Sequence, residues 1–140
     1  MTTPSHKQPI ALVEDDPLMG SLVVQMLGLH DLPTDHYQTG FAFLKSSALQ
    51  NYETAILDLS LPDIDGFDLI DALADLATHI DLVLISGRGH ATLDSARLVA
   101  EGLGHTVLAT LNKPFSSQEL CMALKLEAAF AHTTQSSPFA

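Results

Sequence analysis

The side chains able to do chemistry in this chain sit at the ends of apolar runs. Glu14, Asp15 and Asp16 follow the run 10–13, Asp58 lies within the run 54–59, Ser86 ends the run 81–86, and Lys113 follows the run 106–111. An ionised carboxylate among Ile56, Leu57 and Leu59 is costly to desolvate unless a partner compensates it. If the acidic groups converge they repel one another, and the remedies are raised pKa values or a bound cation. A loose set of oxygen donors with room for water suits magnesium, which in turn recruits phosphate oxygens. A lysine and a hydroxyl on the same edge would then donate to a phosphoryl group. That group could belong to a ligand, or Asp58 could take it up directly as a carboxylate nucleophile. A nucleotide or flavin would want backbone donors on a glycine-rich or hydroxyl-rich loop after the first strand, where this chain has Glu14-Asp15-Asp16-Pro17.

What must position these groups is an alternation of strands and helices. Apolar runs predict strands at 10–13, 54–59, 81–86 and 106–111, with a weaker one at 34–38. Periodic apolar residues predict helices from Pro17 to near Gly28, and over 40–49, 65–77, 90–101 and 117–131. Asp16 before Pro17 reads as a helix cap, Gly102 as a helix end, and Ser116 with Glu119 as a capping box. Strands alternating with helices through short connections argue for an α/β fold with a parallel sheet covered on both faces. Ligands bind such sheets at the carboxyl ends of the strands, where strand order reverses. Glu14, Asp15, Asp58, Ser86 and Lys113 would all lie on that edge.

Composition narrows the function classes. A chain of 140 residues fits one domain with a substantial core, here residues 9–131, leaving 1–8 as a poorly ordered start and 132–140 as a tail or the beginning of a linker. Only 6 Lys and Arg stand against 17 Asp and Glu, a net charge of -11 that argues against direct nucleic-acid binding. It suits a protein that meets cations or basic surfaces, although a solvated acidic exterior is the commoner cause of such a balance. Cys121, the one cysteine, excludes an internal disulfide and fits a reducing compartment. Without a leader pattern or a long apolar run, a cytoplasmic protein with no membrane contact is expected. The seven histidines show no metal-ligand spacing and read as surface or loop residues; Phe41, Phe43, Phe67 and Phe115 read as core or half-buried.

The set resembles the receiver domain of two-component response regulators over residues 9–131. Glu14-Asp15 match its acidic pair, Asp58 its phosphoacceptor, Leu61-Pro62 and Asp65-Gly66 its proline and glycine spacing, Ser86-Gly87 its hydroxyl pair, and Lys113-Pro114-Phe115 its lysine motif. The resemblance implies a flavodoxin-like, doubly wound five-stranded parallel sheet of order 2-1-3-4-5 with five helices. It implies Asp15 and Asp58 as magnesium ligands, manganese being able to substitute, with Glu14 acting through water and the Ser60 carbonyl contributing. A sensor histidine kinase, a histidine phosphotransfer protein or a small phosphodonor would phosphorylate Asp58. Ser86 and Lys113 would engage the phosphoryl oxygens and so switch contacts with an output domain or downstream protein. The surface of helix four, strand five and helix five would be the contact or dimer face.

Two positions in the pattern are variable. Thr110 stands where the family usually has an aromatic reporter, so the readout should be weaker or pass through His105 or the helix-four surface. Arg88, two residues after Ser86, falls where the family tunes dephosphorylation and could shield the acyl phosphate. The chain is therefore expected to be a signalling domain without substrate turnover of its own. An aspartate-nucleophile phosphatase would want a second aspartate where Ser60 stands. The segment 102–115, with Thr110, also resembles receivers that precede cyclic-di-GMP phosphodiesterase domains, which offers a longer regulatory protein as the alternative setting.

Overall fold

A computed structural model describes residues 8–76 and 79–126 of the chain. Strands β1 (Ile10–Val13), β2 (Thr34–Tyr37), β3 (Thr54–Asp58), β4 (Asp81–Ser86) and β5 (Thr106–Asn112) form one parallel sheet in the order β2-β1-β3-β4-β5. Between and after them run α1 (Pro17–Gly28), α2 (Gly40–Leu44), α3 (Gly66–Leu76), α4 (His90–Gly102) and α5 (Ser117–Ala123). The expected flavodoxin-like topology is therefore present.

Side chains alternate across each strand, so each face of the sheet builds its own core. Ala11, Val13, Ala55, Leu57, Leu82 and Leu84 pack under Phe43 of α2, Leu69, Ile70 and Leu73 of α3, and Leu93, Ala96 and Ala100 of α4. Ile10, Leu12, Ile56, Val83 and Ile85 pack under Val23 and Leu27 of α1 and Leu120 and Ala123 of α5. With both faces covered, the central strands carry continuous apolar sequences, as parallel sheets require.

Strand β5 breaks its own alternation. Leu82 pairs with Val107 but Val83 pairs with Ala109, so Leu108 is an extra residue, a bulge. Val107 faces the α3–α4 side, while Ala109 and Leu111 face the α1–α5 side. In a regular strand Lys113, six residues after Val107, would follow Val107; the bulge moves it to the opposite face.

Several expected boundaries change. The second helix is not 40–49: it ends at Leu44, and a short 3-10 turn covers Leu49–Asn51. Ser46 intervenes, its amide bonding the Phe43 carbonyl and its Oγ accepting from Ala48 N, and such local bonds compete with helix continuation. Helix α4 includes Gly102 rather than stopping before it; the left-handed residue is Gly104, with φ 96°. Helix α5 ends at Ala123, not 131, because Lys125 turns left-handed at φ 59° and the Lys125 and Leu126 amides close back on the Met122 and Cys121 carbonyls. That turn packs Leu126 against the α1–α5 core. The segments 1–7 and 127–140, which hold the expected start, positions 127–131 of the expected last helix and the expected tail, lie outside the described residues.

The helix starts follow the expected capping. Asp16 Oδ1 accepts from Leu18 N at 3.0 Å and Met19 N at 3.4 Å, and Ser116 with Glu119 forms the reciprocal capping box. Gly66 opens α3 because there is no room for a side chain: a Cβ would lie 2.8 Å from the Leu59 Cα. This close approach holds the loop after β3 against the strand it has just left. Phe41 is 47% exposed, Phe43 is in the core under α2, α3 and α4, Phe67 is half-buried against that core, and Phe115 is half-buried against the α1–α5 core.

Candidate functional site

Strand order reverses between β1 and β3, and the polar groups gather at the carboxyl ends of those two strands. Glu14 follows Val13, which pairs with Leu57, so Glu14 and Asp58 are neighbours on the α1–α5 face. Both are buried, at 0% and 1% exposure. Lys113, placed on that face by the β5 bulge, brings its Nζ 3.0 Å from Asp58 Oδ2 and 2.9 Å from Glu14 Oε1. Its main chain is tied to the neighbouring strand, Lys113 N donating to the Ser86 carbonyl at 2.9 Å.

The other Asp58 oxygen, Oδ1, accepts from the Ser60 amide at 2.9 Å. Ser86 is fully buried, and its Oγ accepts from Arg88 N at 2.9 Å, which leaves the hydroxyl proton available to a ligand. The Arg88 guanidinium donates to the Leu59 carbonyl at 3.3 Å, spanning from the β4–α4 loop to the loop after β3. Thr110 is half-buried on β5 opposite Leu84, facing α4. On the same side Asn112 Nδ2 lies 2.9 Å from His90 Nδ1. His105 sits just before β5, at the amino edge away from the acidic groups, with Nε2 3.1 Å from the Ile70 carbonyl.

Electrostatics explain why one lysine is shared. Burial raises the Glu14 pKa above its ordinary 4.5; the Lys113 contact and the Asp16 amide oppose the rise, and the Asp58 charge adds to it. Burial works against the Lys113 charge, but the Glu14 and Asp58 contacts outweigh it and hold the ammonium above its ordinary 10.5. One cation thus serves two buried carboxylates. Glu14 Oε1 meets that cation without an aligned hydrogen bond. Glu14, Asp15 and Asp58 each offer a carboxylate oxygen, all within 4.8 Å of one another, with Asp15 exposed. A buried oxygen short of a hydrogen bond beside two further carboxylates fits one hard divalent cation.

Glu14, Asp15, Asp58 and Lys113 meet at this edge as expected from the strand ends, and further residues, not expected from the sequence, brace them. Asp63, in the loop after β3, accepts from Gly40 N at 3.0 Å and Phe41 N at 2.8 Å, so it ties the start of α2 to that loop. Burial alone would raise its pKa, but these amides lower it. His36 on β2 reaches the Glu14 carbonyl, at 2.7 Å. His36 lies on β2 rather than on the surface or in a loop; His30 and His105 are in loops but half-buried, and His30 Nε2 lies 3.3 Å from the buried Cys121 Sγ. No periodicity marks such contacts; for His36 the one local signal was Gly20 inside a helical pattern.

Fold and site together define a doubly wound α/β domain with a buried acidic pocket and one lysine at its switch point. The model of the response regulator receiver domain family matches residues 10–125, and the chain belongs to that family. It is 27% identical over 120 residues to the transcriptional regulatory protein CreB of Escherichia coli (strain K12), covering 86% of this chain and 50% of CreB. Among solved structures, a response regulator from Colwellia psychrerythraea matches at 32% identity and TM-score 0.71, covering 86% of this chain and 96% of that one. The non-phosphorylated HemR receiver domain from Leptospira biflexa matches at 25% identity and TM-score 0.72, covering 85% of this chain and 92% of that one. The chain spans about half the length of the curated relatives it matches. Among the described residues no helix is long and apolar enough to cross a membrane.

Proposed function

We propose that Asp58 is the phosphoacceptor of this receiver. The observation that carries the reading is the Asp58 carboxylate, buried at the end of β3 with Oδ1 on the Ser60 amide and Oδ2 on the Lys113 ammonium, beside Glu14 and Asp15. One Asp58 oxygen forms the new bond to phosphorus while the bond from phosphorus to the donor breaks, and the electron pair leaves with the donor. The donor is a phosphohistidine of a sensor kinase or phosphotransfer protein, or a small acyl phosphate. Glu14, Asp15, Asp58 and the Ser60 carbonyl would hold magnesium, or manganese in its place, which when bound supplies positive charge to the transferring oxygens. Lys113 keeps its proton and turns from the carboxylate to a phosphoryl oxygen; the Ser86 hydroxyl donates to another.

The new group biases a two-state equilibrium, because Ser86 ends β4 and Lys113 follows β5, where the loops to α4 and α5 begin. Contacts with an output domain or downstream protein change as a result. The Arg88 guanidinium, already spanning the acceptor loop, slows access of water to the acyl phosphate. The protein is tested with radiolabelled acetyl phosphate. Label should enter only with magnesium, and chelation should prevent it. Arg88→Ala should shorten the lifetime of the label; an unchanged lifetime removes that role.

A further inference from the structure

The acidic pair is held by its main chain. Glu14 N donates to the Tyr37 carbonyl at 3.0 Å, Asp16 N donates to Glu14 Oε2 at 3.1 Å, and Asp16 then caps α1. Among the described residues no side-chain hydrogen bond orients the exposed Asp15. The Glu14–Asp15 peptide therefore sets where the Asp15 Cα–Cβ bond leaves the main chain, and so the region its carboxylate can reach. The carbonyl of that peptide has one side-chain partner, His36 Nε2 at 2.7 Å. A carbonyl only accepts, so Nε2 carries the proton.

The His36 ring has a seat made for it. It stands on β2 opposite Leu12 and projects over α1 at Gly20, where a Cβ would lie 1.9 Å from its Cε1 and 2.4 Å from its Nε2. Glycine inside a helix is less stable than alanine by roughly 0.5–1 kcal/mol, so its presence asks for a packing reason. The ring supplies it: any side chain at position 20 would displace His36 from the Glu14 carbonyl.

We propose that His36, seated on Gly20, is a positioning residue for the metal-binding acidic pair, fixing the Glu14–Asp15 peptide and through it the Asp15 carboxylate. The proposal rests on the reading of Glu14 and Asp15 as metal ligands. A partner that orients a metal ligand is typically worth 10–100-fold in metal affinity. His36 acts one step further back, on the backbone, so the expected loss is about tenfold.

The test titrates magnesium into the wild type and four variants by calorimetry, with thermal unfolding of the metal-free proteins and acetyl phosphate labelling alongside. His36→Phe keeps the ring's bulk but not its donor, and should bind magnesium about tenfold more weakly. His36→Gln keeps an N–H donor and should recover most of the affinity. Gly20→Ala should weaken binding by displacing the ring. Gly20→Ala combined with His36→Ala removes the clash without restoring the donor, so metal-free stability should recover while binding stays weak. Wild-type affinity in His36→Phe, or in the double variant, overturns the proposal while leaving Asp58 as acceptor. A wild-type protein that neither binds magnesium nor takes label overturns the acceptor reading, and this one with it.

Discussion

Tyr37, Tyr52, Ser46 and Asp35 form one polar cluster beside β2; Glu14, Asp58 and Lys113 form another at the carboxyl edge between β1 and β3. The first is complete. Ala48 N donates to Ser46 Oγ, and hydroxyls then link Ser46 to Tyr37 at 2.8 Å, Tyr37 to Tyr52 at 2.6 Å, and Tyr52 to Asp35 Oδ2 at 2.6 Å. Tyr37 and Tyr52 also pack against Phe43, their ring centroids 5.3 and 6.0 Å from it. The second places two buried carboxylates on one ammonium and leaves Glu14 Oε1 without an aligned bond. A fully satisfied network rigidifies a core, whereas a partly satisfied one carries a cost in a low-dielectric interior. The difference separates a cluster whose bonds all lie within the fold from one that, on the proposed function, a cation would complete.

Substitution should split the two clusters by consequence. The largest effect is on chemistry: Asp58→Asn should abolish acetyl phosphate labelling, whereas Tyr52→Phe should leave it intact. Persistent labelling of the Asp58 variant would remove it as acceptor. Next comes the metal. At a hundred times its dissociation constant, magnesium should raise wild-type unfolding free energy by about 2.7 kcal/mol, taking the unfolded chain to have no affinity. Tyr52→Phe should keep this gain and Asp58→Asn or Glu14→Gln should lose it; equal gains in all would place the ion elsewhere.

Lys113→Ala should lower metal-free stability by about 2 kcal/mol in denaturant unfolding. Breaking a fully buried pair costs roughly 3–5 kcal/mol, and the side chain here is 24% exposed. Magnesium should restore much of that loss, since it supplies the missing positive charge. Tyr52→Phe should cost about 1 kcal/mol whether or not magnesium is present, because it removes one donor and leaves Tyr37 its bond to Ser46. Dependence of that loss on magnesium would mean the two clusters are coupled.

The smallest effect is a slope with pH. Burial, then the bonds to Asp35 and Tyr37, push the Tyr52 pKa well above its ordinary 10.0. The folded chain therefore keeps a proton that the unfolded chain releases above pH 10, and stability should fall as pH rises beyond that value. Tyr52→Phe should flatten the slope. An unchanged slope would assign it to other groups.

Much of the site was legible because its chemistry is local in sequence. Each strand end announces itself by a polar residue after an apolar run: Asp58 after Ile56 and Leu57, Ser86 after Leu84 and Ile85, Lys113 after the run through Leu111. Caps such as Asp16 and Ser116 need only neighbours a few residues away, and both were readable. The end of α5 was not, since Lys125 turns left-handed where packing Leu126 onto the α1–α5 core competes with another helical turn. The length of α2 was lost to the Ser46 hydroxyl for a similar reason.

The sequence by itself determined which groups would meet: order, type and spacing put three carboxylates, a hydroxyl and a lysine at successive strand ends of a parallel sheet. Tertiary structure decided how they meet. The Leu108 bulge moves Lys113 onto the face of Glu14 and Asp58, His36 crosses from β2 to the Glu14 carbonyl over Gly20, and Asp63 ties the loop after β3 to α2. Strand periodicity cannot foresee an inserted residue, because the bulge exists only relative to the partner strand. Contacts between residues 22 or 23 positions apart likewise form only once the sheet has brought β1, β2 and the loop after β3 together.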